Sequence, residues 1–97
     1  MIKTIGKSDF EKVSAGKKAL VEFYADWCAE CGAMVPYLEK ARAQTDVPFY
    51  RFDCDGDRDF VIELGIMALP TTVVYENGKE IARRSGLMEE SEILKML

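Results

Sequence analysis

The stretch Ala19-Leu20-Val21-Glu22-Phe23-Tyr24-Ala25 is almost continuously apolar, and it leads through Asp26 and Trp27 straight into Cys28-Ala29-Glu30-Cys31. An apolar run of this length is the pattern of a central strand buried on both faces, which needs a covering layer on each side. The next segment supplies one such layer. Met34, Val35, Leu38 and Ala41 recur at helical spacing, with Glu39, Lys40, Arg42 and Gln44 on the other side. The two cysteines therefore fall where a buried strand gives way to a helix. With Cys28 opening that helix, Cys31 lies about one turn on and on roughly the same side. The sulfurs can then bond without much backbone movement. The helix N-terminus adds free N–H groups and partial positive charge, which favour a thiolate. Such a pair makes a reversible dithiol/disulfide switch; the same spacing also forms half of many zinc sites.

The 97 residues support one domain, 1–97. A chain of this size buries roughly two-thirds of its unfolded surface, enough for a core without obligatory staples. A formal charge of −4, and no run of basic residues, argue against nucleic acid or an anionic membrane as partner. No apolar run approaches the ~20 residues of a membrane span. The start, Met1-Ile2-Lys3-Thr4-Ile5-Gly6, has no signal-peptide pattern, so a cytoplasmic, reducing location is expected. There, a close cysteine pair reads as redox-active or metal-binding rather than as a staple. With 3 cysteines and no histidine, a tetrahedral zinc site would need a carboxylate as fourth ligand, a poor fit. No metal and no bound cofactor are expected.

Ile2 to Ile5 reads as a short edge strand. Ser8-Asp9-Phe10-Glu11 reads as a capping box, with Ser8 as N-cap of a helix that Gly16 ends. Pro36 falls inside the helix after the cysteines. Phe49 to Cys54 reads as a strand, and Asp57 to Leu64 as a short helix closed by Gly65. Asn77-Gly78 between Thr71–Tyr75 and Glu80–Arg84 marks a hairpin. A last helix starts near Glu89 and ends near Lys95. The order implies an α/β sandwich, with parallel strands first and an antiparallel pair at the end.

With these motifs placed, the chain resembles a thioredoxin over nearly its whole length. The landmarks are Val21-Glu22-Phe23-Tyr24-Ala25-Asp26-Trp27-Cys28, then Cys31 and Pro36. Gly65-Ile66-Met67-Ala68-Leu69-Pro70-Thr71, Asn77-Gly78 and Gly86 follow. The resemblance implies a thioredoxin fold: a central mixed sheet of about four to five strands, parallel in part with a C-terminal antiparallel hairpin, flanked by about four helices. It implies a protein disulfide reductase in which Cys28 attacks and Cys31 resolves. Glu22 stands where the family has a buried acid that takes the Cys31 proton, and Arg51 where it often has a lysine beside that acid. Burial raises that acid's pKa and the guanidinium lowers it, and the sequence leaves the balance open. Pro70 matches the family's cis proline, which would present the Leu69 backbone to an extended substrate. Trp27, Met67, Ala68, Leu69, Gly86 and Leu87 would form an apolar docking surface beside it. The implied partners are protein disulfides and a thioredoxin reductase, flavin- or ferredoxin-linked, with the protein a monomer. A glutathione-linked, glutaredoxin-like reductase and a non-catalytic adaptor or metal-binding module are the rival readings.

The chain departs from the family between and after the cysteines. Ala29-Glu30 replaces the usual Gly-Pro, and Gly32 stands where a Lys or Arg is common. With Asp26, these changes make the surroundings of Cys28 more negative, which raises its expected pKa. A less stabilised thiolate predicts a reduction potential at or below the ~−270 mV of thioredoxin. Cys54 reads as a small buried hydrophobe in its strand. The acids from Asp53 to Asp59 read as a solvated turn and helix start, and Met67, Met88 and Met96 as packing residues.

Overall fold

The computed structural model describes residues 1–97. Strand β1 (Lys3–Ile5) leads to helix α1 (Lys7–Ala15), then β2 (Ala19–Tyr24), α2 (Ala29–Arg42) and β3 (Phe49–Asp53). A 3-10 turn (Cys54–Gly56) precedes α3 (Arg58–Glu63), followed by β4 (Thr71–Glu76), β5 (Lys79–Ser85) and α4 (Glu90–Lys95). The strands form one five-stranded sheet in the order β1-β3-β2-β4-β5. β1, β3 and β2 run parallel; β4 is antiparallel to β2, and β5 to β4.

β2 is central and all six of its residues are buried, as its apolar run requires. Period-two alternation divides them between two cores. Val21 and Phe23 join Phe52, Val73 and Tyr75 under Phe10 of α1 and Val61 of α3. Leu20 faces the other way, with Val74, beneath Met34, Leu38 and Ala41 of α2 and Ile93 of α4. Phe10 is the keystone of the first core. Its ring meets Phe23, Phe52, Phe60 and Tyr75 edge-on, at centroid distances of 6.0, 6.0, 5.3 and 5.1 Å.

Three local readings change. Ser8 is not an N-cap: α1 starts at Lys7, and Gly6 occupies the cap position without a side-chain bond. Because β1 is held on β3 as far as Ile5, the helix must start at once, and the Phe10 N–H reaches the Gly6 carbonyl at 2.9 Å. Cys54 is buried but lies outside the strand. Asp53 bends the chain by accepting the Asp55 N–H at 3.0 Å, which opens the 3-10 turn. Met88 is fully buried in the second core, whereas Met67 is 95 % exposed, because it lies in the loop beyond the sheet's end rather than over a face.

Other ends follow the sequence. Asp57 caps α3 through the Phe60 N–H, and Gly65 (φ +73°) ends the segment. Asn77 (φ +55°) and Gly78 (φ +82°) make the hairpin turn that an Asn-Gly pair favours. At the start of α4 the Glu89 N–H donates to Glu92 Oε1 at 3.2 Å.

Candidate active site

Strand register gathers the site at one end of the sheet. Phe23 pairs with Thr71, Tyr24 with Asp53, and Thr71 with Ser85. The segments that follow β2, β3 and β5, and the one that precedes β4, therefore all leave the sheet at that end. They carry Asp26-Trp27-Cys28, Cys54-Asp55, Gly86-Leu87 and Met67-Ala68-Leu69-Pro70. Glu22 and Arg51 sit deeper, within the strands.

Cys28 caps α2 rather than opening it, one residue from the expected place. Its sulfur accepts the Cys31 N–H at 3.2 Å, and its carbonyl accepts the Gly32 N–H at 3.3 Å. Cys28 and Cys31 are joined as a disulfide with their Cα atoms 5.3 Å apart. The two sulfurs are not equivalent. Cys28 is half-buried at the lip, and Cys31 is fully buried. Asp26, Ala29 and Glu30 are all exposed around them.

The Leu69–Pro70 peptide bond is cis. This loop is pinned from two sides: the Pro70 carbonyl accepts the Gly86 N–H at 2.8 Å, and the Thr71 hydroxyl donates to the Ala68 carbonyl at 2.6 Å. Gly86 has φ +95°, a backbone conformation that disfavours side chains. The Leu69 N–H and carbonyl make no backbone hydrogen bond within the chain. Trp27, Met67 and Leu87 are exposed apolar side chains at this end.

Sequence reasoning missed two residues here. The indole N–H of Trp27 donates to Asp55 Oδ2 at 3.0 Å, and Arg58 holds Oδ1 at 3.3 Å. Asp55 thus fixes the tryptophan instead of only solvating a turn. A groove of about 430 Å³ lies between Trp27, Cys54, Asp55, Arg58, Val61 and the exposed Ile62. Neither Asp55 nor Ile62 carried a sequence signal, because a turn acid and a helical isoleucine are ordinary in those places.

Glu22 is fully buried and pairs in register with Arg51, whose Nε donates to Oε1 at 2.6 Å. Arg51 is itself 17 % exposed. Glu22 Oε2 has no protein partner. Burial pushes the Glu22 pKa up; the hydrogen bond and charge of Arg51 oppose this without overcoming it. Cys54 is a free, buried thiol, pushed up to about 11 by burial and then by Asp53 and Asp55. Nowhere do three or more cysteine or carboxylate side chains converge so as to hold a metal ion.

The family model described as Thioredoxin matches residues 1–97. A thioredoxin of Chlamydia muridarum is 28 % identical over 100 % of this chain and 96 % of its own length. One from Mycoplasma genitalium is 36 % identical, covering 89 % of this chain and 85 % of its own. Among solved structures, a mutant thioredoxin from Halobacterium salinarum superposes with a TM-score of 0.87 at 27 % identity, over 98 % of this chain and 85 % of that one. A lip-and-floor cysteine pair at a helix start, set beside a cis proline loop, agrees with what these matches say: the chain belongs to the thioredoxin family and is a thiol–disulfide oxidoreductase.

Proposed function

We propose that the protein reduces disulfides of partner proteins, with Cys28 as the attacking and Cys31 as the resolving thiol. The carrying observation is the asymmetry of the pair: one sulfur at the surface on a helix N-terminus, the other fully buried behind it. In the reduced protein, the Cys28 thiolate attacks one sulfur of a substrate disulfide. The substrate bond breaks and a mixed disulfide forms, with the electron pair leaving on the other substrate sulfur. Cys31 then gives up its proton and attacks Cys28. The second substrate sulfur leaves, and the protein holds the Cys28–Cys31 disulfide. Two electrons have passed from protein to substrate, which departs as a dithiol.

Glu22 accepts the Cys31 proton in this reading, with Arg51 as its partner. A buried carboxyl whose pKa is raised is a stronger proton acceptor than an ordinary surface carboxylate. The exposed Trp27, Met67, Ala68 and Leu87 dock the substrate. The unpaired backbone of Leu69, beside Pro70 and Gly86, offers it strand-like hydrogen bonds. Asp26, Ala29 and Glu30 tune the pair. Disulfide substrates and a reductase partner come with family membership. We assign the reductase to the flavin- or ferredoxin-linked class, the protein to a monomer that keeps its docking surface free, and its location to the reducing cytoplasm.

The test is reduction of a protein disulfide such as insulin by dithiothreitol-coupled turnover. Cys28→Ser abolishes turnover, and Cys31→Ser accumulates a mixed disulfide at Cys28. Turnover that survives Cys28→Ser overturns the assignment. Glu22→Gln slows resolution of the mixed disulfide, on the order of 10²-fold, through loss of the proton acceptor.

A further inference from the structure

Tyr24 lies beside this chemistry with no role assigned. It follows Glu22 by two residues on β2, so the two side chains share a face of the sheet. Thr4, Arg51 and Glu22 stand in register across β1, β3 and β2. The Tyr24 hydroxyl is 3.2 Å from Thr4 Oγ1, two strands away. A phenol that spans from β2 to β1 must cross β3, and what it crosses is Arg51. The Arg51 Cζ lies 3.7 Å from the centre of the Tyr24 ring. The guanidinium is thus held between the ring and the buried Glu22 carboxylate, Nε to Oε1 at 2.6 Å.

We propose that Tyr24 is a positioning residue: tethered by its hydroxyl to Thr4, its ring clamps the Arg51 guanidinium onto Glu22 and so fixes the carboxyl that serves Cys31. The proposal rests on the reading of Glu22 as proton acceptor. Without the ring, Arg51 has a long, flexible side chain and an open route to water. With it, the cation gains a favourable ring contact in a partly desolvated place, where such contacts are strongest.

The other groups around Glu22 do not substitute for this clamp. From β4, its register partner Thr72 presents a buried hydroxyl without a partner, and Arg84, next across the sheet, is turned to Glu92 of α4 at 2.6 Å. From β3, Asp53 is occupied in capping the 3-10 turn. Cys54 is buried with a raised pKa, and Cys31 comes from α2, which covers this face. Arg51 is therefore the one cation engaged with Glu22, and its placement sets how far that charge offsets burial.

The experiment follows the Glu22 side-chain carboxyl by carbon NMR through a pH titration of the disulfide form, where neither active-site thiol titrates; Glu22→Gln assigns the signal. Tyr24→Leu, apolar and of similar bulk, is expected to raise the Glu22 pKa by roughly half a unit to one and a half, the range that loss of a partly desolvated ring–cation contact allows. Tyr24→Phe keeps the ring and retains most of the wild-type value. In an Arg51→Met background, Tyr24→Leu no longer moves the carboxyl. An unmoved titration in Tyr24→Leu, an equal effect of Phe and Leu, or a shift that persists without Arg51 overturns the proposal. Tyr24→Met takes the place of the leucine variant should that one fail to fold. The reduced protein separates the two ideas. A pH profile of mixed-disulfide resolution unchanged by Glu22→Gln sinks the proton-acceptor reading and with it the catalytic purpose of the clamp. A normal dependence on Glu22 with no carboxyl shift in Tyr24→Leu sinks the clamp alone.

Discussion

Glu22 sits at a conflict between two physical demands. Its full burial disfavours the charge, and Arg51 favours it, with burial prevailing. The sign of the stability effect follows. A carboxyl whose folded pKa is raised binds more protons in the native state than in the unfolded chain across the window between the unfolded value of about 4.3 and the raised folded value. Its contribution is fully present below the unfolded value and is lost as pH rises through the folded pKa. Glu22→Gln, which never ionises, should therefore gain stability relative to wild type as pH rises from about 4 to about 8. Urea unfolding of both disulfide forms across that range checks this; a gap that narrows with rising pH would mean Arg51 outweighs burial. Cys54 makes a second test. With its thiol pushed up to about 11 and its side chain buried, it should resist alkylation at about pH 8 in the folded, reduced protein while Cys28 reacts, as mass spectrometry would show. Glu22 was legible in sequence because one charge inside an apolar run has few destinations, whereas Arg51 was expected beside it only through the family resemblance. Tyr24 was not, since an aromatic residue in a strand reads the same whether it packs on carbon or on a guanidinium.

At the scale of the element, the start of α2 concentrates the chemistry. Cys28 does there what Asp57 does for α3: its side chain accepts a backbone N–H that the helix leaves free. Gly32, one turn on from Cys28, is exposed, and a Cβ there would meet nothing within 4 Å. Packing therefore does not demand glycine, and Gly32→Lys is tolerated. It should stabilise the helix by about 0.5 kcal/mol, the propensity gain less a small penalty for a cation near the N-terminus. It should also lower the Cys28 pKa and raise the reduction potential. Equilibration against dithiothreitol couples with thiol counting reads the potential, and an unchanged value would refute the charge argument for this pair. Elements with strong local signals, such as the Asn77-Gly78 turn and the last helix from near Glu89 to near Lys95, formed where the sequence put them. Ser8 carried an equally good local signal and lost. Its helix begins where β1 releases the chain, a constraint set by pairing with β3 at residues distant in sequence.

For the molecule as a whole, the strand–helix alternation and the CxxC position made the architecture legible, and register then determined what meets at the working end. The groove between Trp27 and Ile62 was not legible, since it exists only because β3 ends beside β2 and α3 folds back under Trp27. That end also has an electrostatic character. Asp26, Glu30, Asp55, Asp59 and Glu63 lie on the segments that form or flank it, with Arg58 among them; Lys7, over the Phe60 ring, and Arg83, on the Leu64 and Gly65 carbonyls, are the further cations against α3. Lys17 and Lys18 lie at the other end, where the loop before β2 meets the hairpin. A partner approaching Cys28 therefore enters a negative field on a chain of net charge −4. Substrates whose disulfide is flanked by Lys or Arg should react faster than otherwise identical ones flanked by Asp or Glu, by about tenfold at low salt, the lower end of steering effects. Raising ionic strength toward about 1 M shortens the screening length from about 10 Å to about 3 Å and should bring the two rates together. Stopped-flow reduction of paired synthetic peptide disulfides at both salt levels makes the comparison. Equal rates at low salt would show that apolar docking around Trp27, Met67 and Leu87 selects the substrate without help from charge. A preference that survives high salt would locate selection in direct contacts at short range, beyond the reach of screening.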